Sequence, residues 1–96
     1  MLLALRLEDF SPLLDQSIHF RAADGAFDLR LVEAVALRQP SPRPHPPFRL
    51  ILQSGTGLRL PQGTFALEHP QHGPMELFMV PIQPDAGGPR YEVIFN

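Results

Sequence analysis

The residues able to do chemistry are few. His69 and His72 stand three apart in a Pro/Gly-rich turn, with Glu68 and Glu76 close in sequence. Imidazole nitrogens in such a turn could hold a divalent metal. Without a well-spaced third ligand the two form only a weak metal candidate, and a solvated turn is the preferred reading. His45, inside a proline-rich stretch, and His19, on the polar side of an alternating run, are expected to be exposed. Ser54-Gly55-Thr56-Gly57 superficially resembles a phosphate cradle. It lacks the Gly-Lys-Ser/Thr ending and a following helix, so it reads as a hairpin turn. Acyl transfer by Ser11, Ser17, Ser41 or Ser54 would need a His base and an orienting acid, and no spacing supplies them. The absence of Cys excludes a disulfide framework, a thiolate metal site and a Cys nucleophile together. No catalytic residue or cofactor is assigned, and the chain is expected not to be an enzyme.

Composition narrows the partners as well. The chain has 96 residues and a net charge of −2, and its eight basic side chains are all Arg, dispersed from Arg6 to Arg90. That is not the electrostatic footprint of a nucleic-acid binder. With 44% hydrophobic residues the chain is not disordered as a whole. The apolar run at the N-terminus stops at Arg6, short of the roughly 7–15 residues of a secretory core. No 18-residue apolar span offers a membrane helix. A cytoplasmic location and no membrane partner are therefore expected. Residues 1–96 read as a single domain, small enough that a lone core is marginal and an oligomer would relieve it.

The elements that must position these residues are strands. Ser17 to Leu31 alternates around Asp24-Gly25, a strong two-residue hairpin signal. With those two residues at the tip, Ile18 faces Leu31, Phe20 faces Leu29 and Ala22 faces Phe27. The other side pairs Arg21 with Asp28 and His19 with Arg30. Further on, Glu33 falls on the inward phase. Either a bulge near Val32 shifts the phase or Glu33 turns inward, and the cost of an unpaired buried carboxylate favours the bulge. Gln39 to Pro47 is a proline-rich connection, with a ligand for an aromatic-groove domain as the less favoured reading. Phe48–Gln53, Thr64–His69, Met75–Ile82 and Tyr91–Phe95 supply the remaining strands, with most of the twelve prolines between them. Ser11-Pro12-Leu13-Leu14 offers one short helical turn. The fold class is all-β: a small antiparallel barrel or barrel-like meander of about six strands with one short N-terminal helical turn.

One feature of the last hairpin stands apart. Pairing Ile82 with Tyr91, Val80 with Val93 and Phe78 with Phe95 gives an apolar inner face. The opposite face should be polar, yet it carries Met75, Leu77, Met79, Pro81 and Ile94, interrupted by Glu92. Either Leu2, Leu3, Leu5 and Leu7 fold across this stripe, or it is a contact surface for another subunit or protein.

Several blocks together resemble a known family: Leu13-Leu14-x-Gln16, Leu29-x-Leu31-Val32-Glu33, Leu60-Pro-Gln-Gly63-Thr64-Phe65, His69-Pro70, Phe78-Met-Val-Pro81 and the closing Tyr91-Glu-x-x-Phe95-Asn96. The family is one of bacterial domains of unknown function, about a hundred residues long, and the likeness spans nearly the whole chain. Asp15 stands where the family pattern has Gly. The resemblance carries no established activity and no site residues, and it implies a setting beside phage-tail-like assemblies. The expected function is a non-enzymatic binding or assembly module, homo-oligomeric or docking another protein. A carrier holding a small apolar ligand in the barrel interior is the alternative, and a metal-dependent enzyme the third.

Overall fold

In the computed structural model, residues 5–22, 25–38, 45–55 and 58–95 are described. Two 3-10 turns, Leu7–Asp9 and Ser11–Leu13, precede six strands. These are β1 (Ser17–Ala22), β2 (Gly25–Ala36), β3 (Phe48–Gln53), β4 (Gly63–His69), β5 (Gly73–Asp85) and β6 (Gly88–Phe95). All pairings are antiparallel, and the ring closes in the order β1-β2-β3-β6-β5-β4. The expected small all-β antiparallel barrel is thus the fold. Alternation puts Phe20, Leu29, Leu31, Leu50, Leu52, Leu67, Leu77, Met79, Tyr91 and Val93 into one buried core.

β3 and β4 are consecutive in sequence but lie three places apart in the ring. Ser54–Gly57 is therefore not a hairpin turn, although it reads as one locally; residues 56–57 lie outside the described residues. The connection crosses one end of the barrel. There the Tyr91 hydroxyl accepts from Leu60 N–H at 2.8 Å and donates to the Leu58 carbonyl at 3.1 Å. The opposite end is closed by the 3-10 turns. Phe10 is fully buried against Phe48 and Phe95, with Leu5 beside it in the core. Leu5 and Leu7 therefore plug the barrel rather than cover its outer face, and Leu2 and Leu3 lie outside the described residues.

The first hairpin has a different register from the expected one. Ile18 pairs with Leu29, Phe20 with Phe27 and His19 with Asp28, a shift of two residues. Because side chains alternate with a period of two, the inward set survives and only the cross-strand partners change. Gly25 takes up φ +154°, and Asp24 lies outside the described residues. The bulge near Val32 is present between Leu31 and Glu33, and it turns Glu33 toward Arg49 on the outside.

The last hairpin departs by one residue, with larger consequences. At its tip Asp85 pairs with Gly88, but an irregularity between Ile82 and Asp85 resets the register to Pro81–Tyr91 and Val80–Glu92. β5 is apolar at both odd and even positions, so nothing in its own sequence fixes which face turns inward. The shift inverts it. Leu77 and Met79 are buried, while Phe78 is 52% exposed. Pro74, Pro84 and Pro89 also lie within strands rather than between them, as only Pro81 was expected to. Pro84 sits in the irregular stretch, where a missing donor costs no ladder bond.

Candidate functional site

The His69/His72 pair sits at the plugged end. His69 is 2% exposed, and its Nδ1 accepts the main-chain N–H groups of Gln71 (3.0 Å) and His72 (3.2 Å). That places the ring proton on Nε2, which donates to the Asp9 carbonyl at 2.6 Å. The ring edge also meets Phe10 at a centroid distance of 5.2 Å. Both nitrogens of His69 are thus engaged in bracing the plug. His72 turns its Nε2 to Asp9 Oδ1 at 3.0 Å, and Asp9 Oδ2 accepts Arg6 N–H at 2.7 Å. Burial pushes the Asp9 carboxyl upward, but the Arg6 hydrogen bond and the bond and charge of His72 outweigh it and hold it below the usual carboxylate value. Among the described residues no group of three or more His, Asp and Glu gathers as a metal-binding set. Glu68 and Glu76 lie exposed on the barrel exterior, and Ser54 is fully buried.

The five residues expected at a contact surface divide. Leu77 and Met79 lie inside the barrel, because the one-residue register shift turns them inward, and so are not surface residues. Met75 is partly buried against the same core. Pro81 and Ile94 are exposed. The apolar outer surface is instead carried by Phe78, Ile94 and Val35, which are 52%, 43% and 40% exposed.

These three belong to one row across the wall formed by β2, β3, β6 and β5. Val35 pairs with Arg49 and Arg49 with Ile94; continuing the Val80–Glu92 register by two residues brings Phe78 beside Ile94. The next row reads Glu33, Ile51, Glu92, Val80. Arg49 joins the rows, donating to Glu33 at 2.8 Å and to Glu92 at 3.4 Å. The bond to Glu33, then its charge, raises the guanidinium above its already high value despite partial burial, so it stays cationic. Together the three frame Ile51, which is 1% exposed although it faces outward, away from the barrel core. Sequence reading missed this wall because the expected Phe78–Phe95 pairing put Phe78 on the inner face, and the consequence of the favoured bulge for Val35 was not followed beyond Glu33. Only the bulge at Val32 and the shift in β5 bring them together outside.

The fold and its surfaces define a small closed β-barrel with both ends plugged by its own chain. The chain belongs to a family described as a domain of unknown function (DUF6916), whose family model matches residues 5–95. Neither the curated proteins nor the solved structures give a match. Among the described residues no helix is long and apolar enough to cross a membrane.

Proposed function

We propose that this domain is a non-enzymatic binding and assembly module that pairs with a second copy of itself through the β2-β3-β6-β5 wall. The observation that carries this reading is the exposed row of Val35 on β2 and Ile94 and Phe78 on the adjacent strands β6 and β5, with Arg49 of β3 between Val35 and Ile94. Contiguous apolar exposure of this kind marks interaction surfaces.

The charge arrangement supports a second copy as the occupant. A two-fold axis parallel to the strands, between β3 and β6, sets Val35 of one copy over Phe78 of the other and Arg49 over Ile94. In the next row Glu33 meets Val80, and Glu92 meets Ile51. No two like charges are set directly opposite, as an isologous interface requires. A four-strand wall is only roughly 19 Å across. Two rows of side chains on strands that rise about 3.3 Å per residue make this a patch of roughly 250 Å², small against the ~800 Å² per partner of a standard interface, so association is of the weak, concentration-dependent kind. A part that self-associates in this way fits a larger bacterial assembly of the phage-tail-like type.

Cross-linking tests the geometry, since the chain contains no native Cys. An equimolar mixture of Val35→Cys and Phe78→Cys chains forms the mixed disulfide in preference to either homodimer. A statistical distribution of the three products overturns the proposed axis.

A further inference from the structure

A second apolar surface lies away from the wall, where the connection from β3 to β4 crosses the barrel end. An open groove of about 400 Å³ runs between that connection and the β1–β2 hairpin. Phe27 of β2 and Phe65 of β4 line it from the strands, and Leu58, Leu60 and Pro61 from the connection. The two rings meet edge to face at a centroid distance of 5.5 Å. Phe27 stacks in turn on the buried Phe20 at 5.6 Å. A groove of this volume with an aromatic and aliphatic lining suits a small ligand.

One charge stands on this lining. Arg59 is the only ionisable side chain among the described residues of the groove. Arg21, Arg49 and Arg90 each meet a carboxylate within 4 Å, whereas Arg59 meets none among the described residues. The segment that carries it is held on both sides. The Tyr91 hydroxyl accepts from Leu60 N–H at 2.8 Å and donates to the Leu58 carbonyl at 3.1 Å, and Tyr91 itself is buried in the core. A braced main chain thus presents an unmatched guanidinium beside an apolar lining, which lowers the ordering cost of binding. The guanidinium fork matches the two oxygens of a carboxylate.

We propose that this groove binds a small aromatic carboxylate, with its ring against Phe27 and Phe65 and its carboxylate paired with Arg59. The ring extends the contact series that runs from Phe20 through Phe27 to Phe65. The charge selects among apolar ligands, since a cation is repelled by Arg59 and a neutral ring leaves the guanidinium unmatched. The groove shares no lining residue with the Val35–Phe78 wall, so the site stands or falls independently of self-association.

The test titrates the isotope-labelled full chain with 3-phenylpropionate. The expected result is saturable movement of the amide resonances of Phe27 and of Leu58, Arg59 and Leu60. Arg59→Gln, a change at an exposed position, should weaken binding about fivefold. 3-Phenylpropionamide keeps the ring and loses the charge, and it should bind the wild type and the variant alike. The proposal is overturned by no saturable shift, by shifts confined to the Val35–Phe78 wall, by equal binding of 3-phenylpropionate to Arg59→Gln, or by acetate binding as tightly as 3-phenylpropionate.

Discussion

His69 donates from Nε2 to the main-chain carbonyl of Asp9 at 2.6 Å, across sixty residues of sequence. This bond couples the turn after β4 to the plug that closes the barrel, and the same ring accepts two further main-chain donors. Replacing His69 with Ala leaves one buried carbonyl and two partly buried N–H groups without their partner, and a void against Phe10. The expected loss is about 3 kcal/mol, read by urea denaturation. Added zinc should leave the wild-type melting temperature unchanged, because neither nitrogen of His69 is free.

Asp9 gives the plug an acid limit. Its folded-state pKa lies below the ordinary carboxylate value of about 3.9. The ionised form is therefore favoured by folding, and the stability it contributes is fully present above that ordinary value. It is lost as the pH falls through the lowered folded value. The groups acting on it are Arg6 and His72. Asp9→Asn should be less stable than wild type near neutral pH, and the two should converge as the pH falls through the lowered folded value. Chemical denaturation across pH 2–7 measures both limbs; parallel curves would contradict the assignment.

The faces of β5 separate two adjacent substitutions. Met79 is fully buried, so Met79→Ala should cost about 3 kcal/mol. Phe78 is largely exposed, and Phe78→Asp should stay within about 0.5 kcal/mol of wild type. Thermal unfolding of the pair reports directly on the register between Val80 and Glu92.

How much of this was legible follows from where the information resides. The inward faces of β1 and β2 could be read, since Ile18, Phe20, Leu29 and Leu31 alternate cleanly against polar neighbours. Even a two-residue error in register preserves them. Glu33 revealed the bulge because a carboxylate in an apolar phase is expensive to bury. β5 offered no such marker, being apolar at odd and even positions alike, so an irregularity beyond Ile82 decided its orientation. The crossover from β3 to β4 left no local trace, because Ser54-Gly55 looks the same in a hairpin and a crossover. His69 looked like a solvated turn residue, because its partner Asp9 is distant in sequence.

Asp15 occupies φ +67°, a left-handed conformation that glycine adopts without strain. Asp15→Gly should raise stability by roughly 0.5–1 kcal/mol, seen as a higher melting temperature. Gly88 shows the reverse. At φ +114°, an added Cβ would come within 2.8 Å of the Ser54 carbonyl oxygen. Gly88→Ala should therefore destabilise by about 2 kcal/mol.

Self-association through the wall is tested most directly by sedimentation equilibrium of the wild type beside Phe78→Asp over a wide range of concentration. The wild-type mass should rise with concentration from 10.7 kDa toward twice that value, and the variant should remain at 10.7 kDa throughout. A wild type that stays at the monomer mass, or a variant that associates equally well, would contradict the proposal.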